Sequence, residues 1–157
     1  MRKHYCRFSL LLPLFSLILY LSCFAGCAKS NPYKDKSKRL IKPAEELSLN
    51  FTCSQKKERV YESVLKNQSD VAIDLGSYEL EFEYKEEWFT VPRNNADLGT
   101  GELVLAGNES IREYDLSESY SSLSKGKYRI VLRISVYESN DAYGESKPYY
   151  IACEFEI

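Results

Sequence analysis

The sequence predicts an all-β domain, a sandwich or barrel of seven to eight short, mainly antiparallel strands behind a cleaved N-terminal export segment. Three observations lead there. Apolar side chains recur at every second position in several stretches between residues 47 and 157, the repeat of a strand that buries one face. Clusters of Asn, Asp, Ser and Gly punctuate these stretches as strand connections do. Only residues 117–124, with Tyr120 and Leu123 spaced to share a face, have the pattern of a helical turn. At 157 residues and 44% hydrophobic content the chain is long enough for one domain and too apolar for wholesale disorder.

The chain opens with Arg2, Lys3 and Arg7, then an apolar run at residues 10–21 interrupted by Pro13 and Ser16, then Phe24-Ala25-Gly26-Cys27. This is the order of an export signal. The apolar run has about twelve residues, short of the roughly twenty that a spanning helix needs. Small Ala25 and Gly26 before a cysteine suit a lipoprotein signal peptidase, and the tetrapeptide resembles the bacterial lipobox, with Phe24 where leucine is usual. Tyr20-Leu21-Ser22-Cys23 is a poorer second match. The expectation is that residues 1–26 are a lipoprotein signal peptide. Cys27 is then lipidated, and the chain is held by its lipid on the extracytoplasmic face of the cell membrane.

Residues 27–44 are expected to form a basic, flexible tether. Lys29, Lys34, Lys36, Lys38, Arg39 and Lys42 stand there against Asp35 alone, whereas residues 43–157 hold 22 acidic side chains against 12 basic ones. Acyl chains and a polybasic stretch together hold a protein firmly to anionic headgroups. Asn31, Pro32, Ser37 and Pro43 suit a solvated spacer equally well. The acidic remainder repels phosphates, so nucleic acid is not expected as a partner.

The strands fall within residues 45–157. Leu47, Leu49, Phe51 and Cys53 share one face of the first. In Tyr78-Glu79-Leu80-Glu81-Phe82-Glu83-Tyr84 the glutamates are expected to face water. Residues 128–136 send Arg129, Arg133 and Ser135 outward, and residues 149–157 bury the odd positions and expose Glu154 and Glu156. Weaker strands fit residues 59–66, 87–91, 102–105 and 110–116. Turn signals stand at Asn67-Gln68-Ser69-Asp70, Arg93-Asn94-Asn95, Gly99-Thr100-Gly101, Ala106-Gly107-Asn108, Lys125-Gly126 and residues 140–144. Of the adjacent Trp88 and Phe89, one faces in and one out, and Trp88 is expected to pack.

Asn67-Gln68-Ser69, Tyr78-Glu79-Leu80-Glu81, Trp88-Phe89-Thr90-Val91-Pro92, Leu105-Ala106-Gly107-Asn108-Glu109-Ser110, and Leu116 through Tyr120 and Leu123 to Gly126-Lys127-Tyr128-Arg129 occur in that order. Over about residues 47 to 137 this set resembles the bacterial immunoglobulin-like domain of exported Gram-positive proteins. The resemblance implies an immunoglobulin-like β-sandwich, lipid-anchored or secreted, and supplies no catalytic residues. Residues 137–150 depart from the pattern as an insertion before the last strand.

After processing and lipidation two cysteines remain, Cys53 and Cys153, both on core faces. In an exported chain they are a possible disulfide, which would close a loop of about one hundred residues at about 4.7 kcal/mol in the chain-entropy model. Two buried free thiols are the alternative. The single histidine, His4, lies in the signal segment, so the mature chain lacks the base of a Ser-His-Asp or Cys-His site. No phosphate-binding glycine loop occurs. Neither a cofactor nor a metal site is expected: the cysteines lack paired zinc-ligand spacing, and Glu138, Asn140, Asp141 and Glu145 do not match a calcium loop. Asn50, Asn67 and Asn108 open glycosylation triplets, which a bacterial lipoprotein does not normally use.

Glu79, Glu81, Glu83, Glu86 and Glu87 crowd one region and in principle offer a hydrolase its two carboxylates. Alternating glutamates on a strand are more commonly a solvated outer face that deters edge pairing. Tyr137, Tyr143 and Tyr150 are the candidate binding surface, because tyrosine offers rigid area with a polar end. The alternative is that most of the thirteen tyrosines line the core and edges. The expected function is non-enzymatic binding in the cell envelope, with an envelope protein or wall glycan as partner. The alternatives are a structural accessory of an envelope protein and a carboxylate-dependent hydrolase.

Overall fold

The computed structural model describes residues 30–95, 101–137 and 146–157, and Pro32–Ile157 form one compact unit. The expected signal peptide, Cys27, Tyr143 and the acidic 138–145 segment lie outside the described residues. The strands are β1 (Leu49–Lys57), β2 (Val60–Asn67), β3 (Ile73–Tyr84), β4 (Glu87–Thr90), β5 (Glu102–Val104), β6 (Glu109–Asp115), β7 (Lys127–Tyr137) and β8 (Ser146–Glu156). They form two antiparallel sheets, one in the order β1-β2-β6 and one in the order β4-β3-β7-β8 with β5 also on β3. This is the expected immunoglobulin-like β-sandwich.

Two hairpins turn where no Gly or Asn marks them. β1 meets β2 across Glu58 and Arg59, with Arg59 at φ 58, and β3 meets β4 across Lys85 and Glu86, at φ 52 and 64. Two consecutive positive φ values define the type I′ turn, whose twist matches that of paired strands. Cross-strand pairing therefore holds two ordinary residues in a conformation that Asn-Gly would adopt at lower cost.

β3 carries a register shift between Leu75 and Tyr78. Before it Ile73 and Leu75 are buried; after it Leu80 and Phe82 are. The extra residue switches the buried parity from odd to even, as a bulge does. The freed edge of β3 then divides, Ile73 to Leu75 pairing β5 and Glu81 to Tyr84 pairing β4. A short helix, α1 (Leu116–Ser119), follows β6, and Asp115 caps it by accepting from Ser117 N at 2.9 Å. It stops before Tyr120, which is extended and buried.

β7 and β8 pair without interruption from Lys127↔Glu156 to Tyr137↔Ser146. Residues 146–150, expected as part of an insertion, are therefore ladder, because the hairpin is longer than the apolar alternation of its last strand reveals. Between the sheets runs a chain of rings. Tyr33 meets Phe82 at 5.3 Å, Phe82 meets Tyr128 at 5.0 Å, Tyr128 meets Phe155 at 6.0 Å and Phe155 meets Tyr61 at 4.0 Å. Buried Tyr33, Tyr61, Tyr114, Tyr120 and Tyr128 show that many of the tyrosines belong to the core.

The expectation of a flexible tether is corrected for residues 32–43. Tyr33 is part of the core cluster, its hydroxyl 3.4 Å from that of Tyr128. The chain then pairs with edge strand β4, Thr90 N donating to Asp35 O and Ser37 N to Trp88 O, both at 2.8 Å. It next reaches the opposite edge, where Ile41 bridges Tyr150 of β8 and Lys42 N donates to Tyr150 O at 2.8 Å. A strap thus joins both edges of the larger sheet, and a 3-10 turn at Ala44–Leu47 leads from it into β1. Composition alone reads this segment as soluble spacer, because its anchoring rests on backbone bonds, on Ser37 and Arg39 bonding to distant glutamates, and on a few isolated apolar side chains. The strap also satisfies backbone groups that two sheet edges would otherwise offer to other chains.

Candidate interaction surface

The outward face of the larger sheet is built from charged cross-strand pairs. Glu81 lies opposite Arg129 in the β3 and β7 register, and Glu83 lies opposite Trp88 in β3 and β4. Glu81 is 0% exposed and Arg129 9%. The expected solvated glutamate face is therefore corrected at its centre. Residues 128–132 of β7 are all buried, including outward-facing Arg129 and Val131, whereas alternation returns at Arg133. A second layer covers that part of the face.

Glu81 is fully engaged. Its Oε1 accepts from Ser37 Oγ at 2.5 Å and from Arg39 Nη1 at 2.9 Å, both on the strap. Its Oε2 accepts from Arg129 Nε at 2.8 Å and meets Arg129 Nη2 at 2.6 Å. Arg39 also pairs with Glu79. Burial works against the Arg39 charge, but Glu79 and Glu81 outweigh it and hold the guanidinium above its ordinary range. A buried carboxylate with four donors is the arrangement that the cost of desolvation demands.

Around this centre cations stand over rings. Arg129 lies 4.1 Å and Lys127 5.4 Å from the Trp88 ring, Arg39 lies 5.8 Å from Tyr150 and Lys42 5.5 Å from Tyr149. Trp88 does pack, but beneath cations on the outer face. Phe89, opposite inward-facing Phe82, is the residue packed against the core. Beside the strap an open groove of about 940 Å³ is lined by Lys36, Lys38, Leu40, Lys42, Pro148 and Tyr149 among others. Leu40 is 88% exposed, the largest value among the exposed large hydrophobics of the described residues.

Of the tyrosines expected to form a surface, Tyr137 and Tyr150 share the outward face, since Tyr150 pairs with Arg133, four residues from Tyr137 on the same strand. Four residues of strand separate them by about 13 Å. Both are half-buried. Tyr150 belongs to the groove, whereas Tyr137 lies at the far end of the hairpin. Arg39, Ser37, Glu81 and Arg129 were not expected at the centre. The available signal was Tyr33 and Ile41, apolar residues inside a stretch otherwise read as tether.

The clustered glutamates are largely engaged. Glu83 pairs with Lys127 at 3.1 Å and Glu87 with Lys36 at 2.6 Å, in addition to the bonds of Glu79 and Glu81. Asn67, 1% exposed, donates to Val71 O at 2.8 Å and Val104 O at 3.0 Å, and its Oδ1 accepts from Ser69 N at 3.1 Å. Its amide organises the turn after β2 and is not open to glycosylation. Among the described residues no three His, Cys, Asp or Glu side chains converge as metal ligands, and no helix is long and apolar enough to cross a membrane.

Cys53 on β1 and Cys153 on β8 belong to opposite sheets. Both are free thiols in the structure, and Cys53 Sγ donates to Glu154 O at 3.6 Å. The neighbouring Cys53 and burial push the Cys153 thiol up, while the neighbouring Cys153 lowers that of Cys53.

Fold and surface together define a small antiparallel two-sheet sandwich with a cationic and aromatic patch on one sheet. The model of the bacterial Ig-like domain matches residues 44–147, and the chain belongs to that family. The curated proteins contain no match to it. Among solved structures the chain is similar to a protein from Archaeoglobus fulgidus, at 12% identity and a TM-score of 0.27, over 69% of this chain and 94% of that one.

Proposed function

We propose that the protein is a non-enzymatic interaction module of the cell envelope, anchored through Cys27 on the extracytoplasmic face of the membrane. The observation that carries the binding role is the groove beside the strap, where cations, tyrosines and exposed Leu40 meet at the edge of the larger sheet. Family membership supports a module that binds, since Ig-like domains are typically non-catalytic. The signal pattern at residues 1–27 supports the anchor. A carboxylate-dependent hydrolase finds no support at residues 79–87, because Glu81 is sealed between two arginines and Glu79, Glu83 and Glu87 are ion-paired.

The test is cross-linking on intact cells with the tagged full chain, with Cys27→Ala as the unanchored control. A reproducible envelope protein, captured by the wild type and lost in the control, is the expected result. Wall glycan captured alone moves a carbohydrate partner ahead of a protein. Equal recovery of the wild type and the control in the soluble fraction overturns the anchor, and no capture in either form overturns the interaction role.

A further inference from the structure

We propose that residues 34–42 and the adjoining groove are a docking face for the anionic headgroups of the membrane that holds Cys27, with Leu40 entering the interfacial layer. This rests on the lipid-anchor reading and extends it from a point of attachment to an orientation of the whole sandwich.

Reach is the first argument. Five peptide steps separate Cys27 from Pro32, where the compact unit begins. Fully extended, they span at most about 18 Å. A lipidated Cys27 therefore keeps the domain beside the headgroups, and the start of the strap is the part held nearest.

Charge is the second argument. Lys34, Lys36, Lys38, Arg39 and Lys42 lie on the strap with Asp35, while residues 43–157 carry 22 acids against 12 bases. An anionic surface attracts this face and repels most others. Lys36 is tied to Glu87 and Lys42 to Glu46, at 2.6 and 3.3 Å, but both glutamates are well exposed, at 50% and 59%. Exposed pairs of this kind are weak and exchange readily for phosphate oxygens. Arg39 is different, because its bonds to Glu79 and Glu81 hold the strap in place instead of reaching outward.

Shape is the third argument. The strap presents Leu40 outward, 88% exposed, between Lys38 and Lys42, and Tyr149 and Tyr150 line the groove next to it. An apolar side chain flanked by lysines, with tyrosines alongside, is the composition that seats protein at the boundary of headgroup and acyl chain.

The test uses the mature protein purified from membranes and reconstituted into vesicles of phosphatidylcholine alone or of equal parts phosphatidylcholine and phosphatidylglycerol. Lysine acetylation is followed by mass spectrometry, and intact mass on the same sample reports the lipid. In anionic vesicles Lys34, Lys38 and Lys42 are expected to react about fivefold more slowly or less, with protection lost at high salt, while Lys57 and Lys66 are unchanged. Lys38→Glu with Leu40→Ser is expected to abolish the protection of Lys34 and Lys42 without altering the urea midpoint. Equal rates in both vesicle types, protection at Lys57 and Lys66 instead, or protection that survives the double substitution overturns the proposal. An intact mass without lipid overturns the anchor separately. The unanchored protein added to the same vesicles then decides the docking face: the same footprint supports it and its absence overturns it. Protection on whole cells that vesicles do not reproduce assigns the face to a protein or wall polymer and also overturns it.

Discussion

Replacing Glu81 with alanine is expected to be among the most damaging single changes in the larger sheet. The substitution removes the acceptor of bonds from Ser37, Arg39 and Arg129. Arg129, 9% exposed, is left with its charge buried and its main counter-charge gone. Breaking a buried pair from one side costs about 3–5 kcal/mol, a large part of a domain stability of about 5–15 kcal/mol. Arg39→Ala is milder, because Arg129 still neutralises Glu81 and the Arg39 side chain is 22% exposed; about 1–2 kcal/mol is expected. Replacing all three together, Glu81→Leu with Arg39→Met and Arg129→Met, is expected to fall within about 1 kcal/mol of the wild type, since no buried charge is then stranded and Glu79, which loses Arg39, is 43% exposed. Urea denaturation followed by fluorescence measures all three. The single tryptophan, Trp88, sits 4.1 Å from the Arg129 guanidinium and reports the site directly. A cost under about 1 kcal/mol for both Glu81→Ala and Arg39→Ala would refute a sealed, buried Glu81. Glu81 would then be hydrated in solution and the strap would not seal the face.

Further outcomes follow from other parts of the fold. A Cβ at Gly126 would lie 2.6 Å from Phe82 Cε2, so Gly126→Ala is expected to lose about 1–3 kcal/mol in the same urea assay. Glu86→Gly relieves a positive φ of 64 in the hairpin after β3 and is expected to stabilise by up to about 1 kcal/mol, read as a higher melting temperature. Burial pushes the Tyr114 hydroxyl up from 10.0 to about 12, and burial raises Tyr120 and Tyr128 as well. A raised folded value gives stability that is complete below the unfolded one, so the urea midpoint should hold to pH 10 and fall between pH 10 and 12, with tyrosinate absorbance from these residues appearing only on unfolding. Full-length protein purified in air without reductant is expected to lack two hydrogens relative to its reduced form, through oxidation of Cys53 and Cys153; an unchanged mass would show that the thiols stay free.

Much of the strand placement along the chain was legible because half-buried strands write their geometry as a period of two. Leu49 and Phe51, or Ile130, Leu132 and Ile134, need no tertiary knowledge to be placed inward. The hairpin turns at Glu58-Arg59 and Lys85-Glu86 were not legible, since pairing imposes a left-handed backbone on Arg59, Lys85 and Glu86, which do not prefer it. The facing of Trp88 and Phe89 was open for a related reason: only the register Phe82↔Phe89 decides which points inward.

The sequence by itself determined the class of fold, the alternation that defines the core faces, the acidic domain behind a basic stretch, and the lack of histidine outside the first residues. Tertiary structure alone decided the fate of that basic stretch. Local composition reports how a segment interacts with water, and residues 32–43 look soluble. Whether they stay in water depends on a glutamate and an arginine more than forty residues away. Glu81 and Arg129 each read as outward-facing polar residues on their own strands. Their pairing across β3 and β7, closed by Ser37 and Arg39 from the strap, makes one buried network out of what the sequence presents as three separate exposed charges and a spacer.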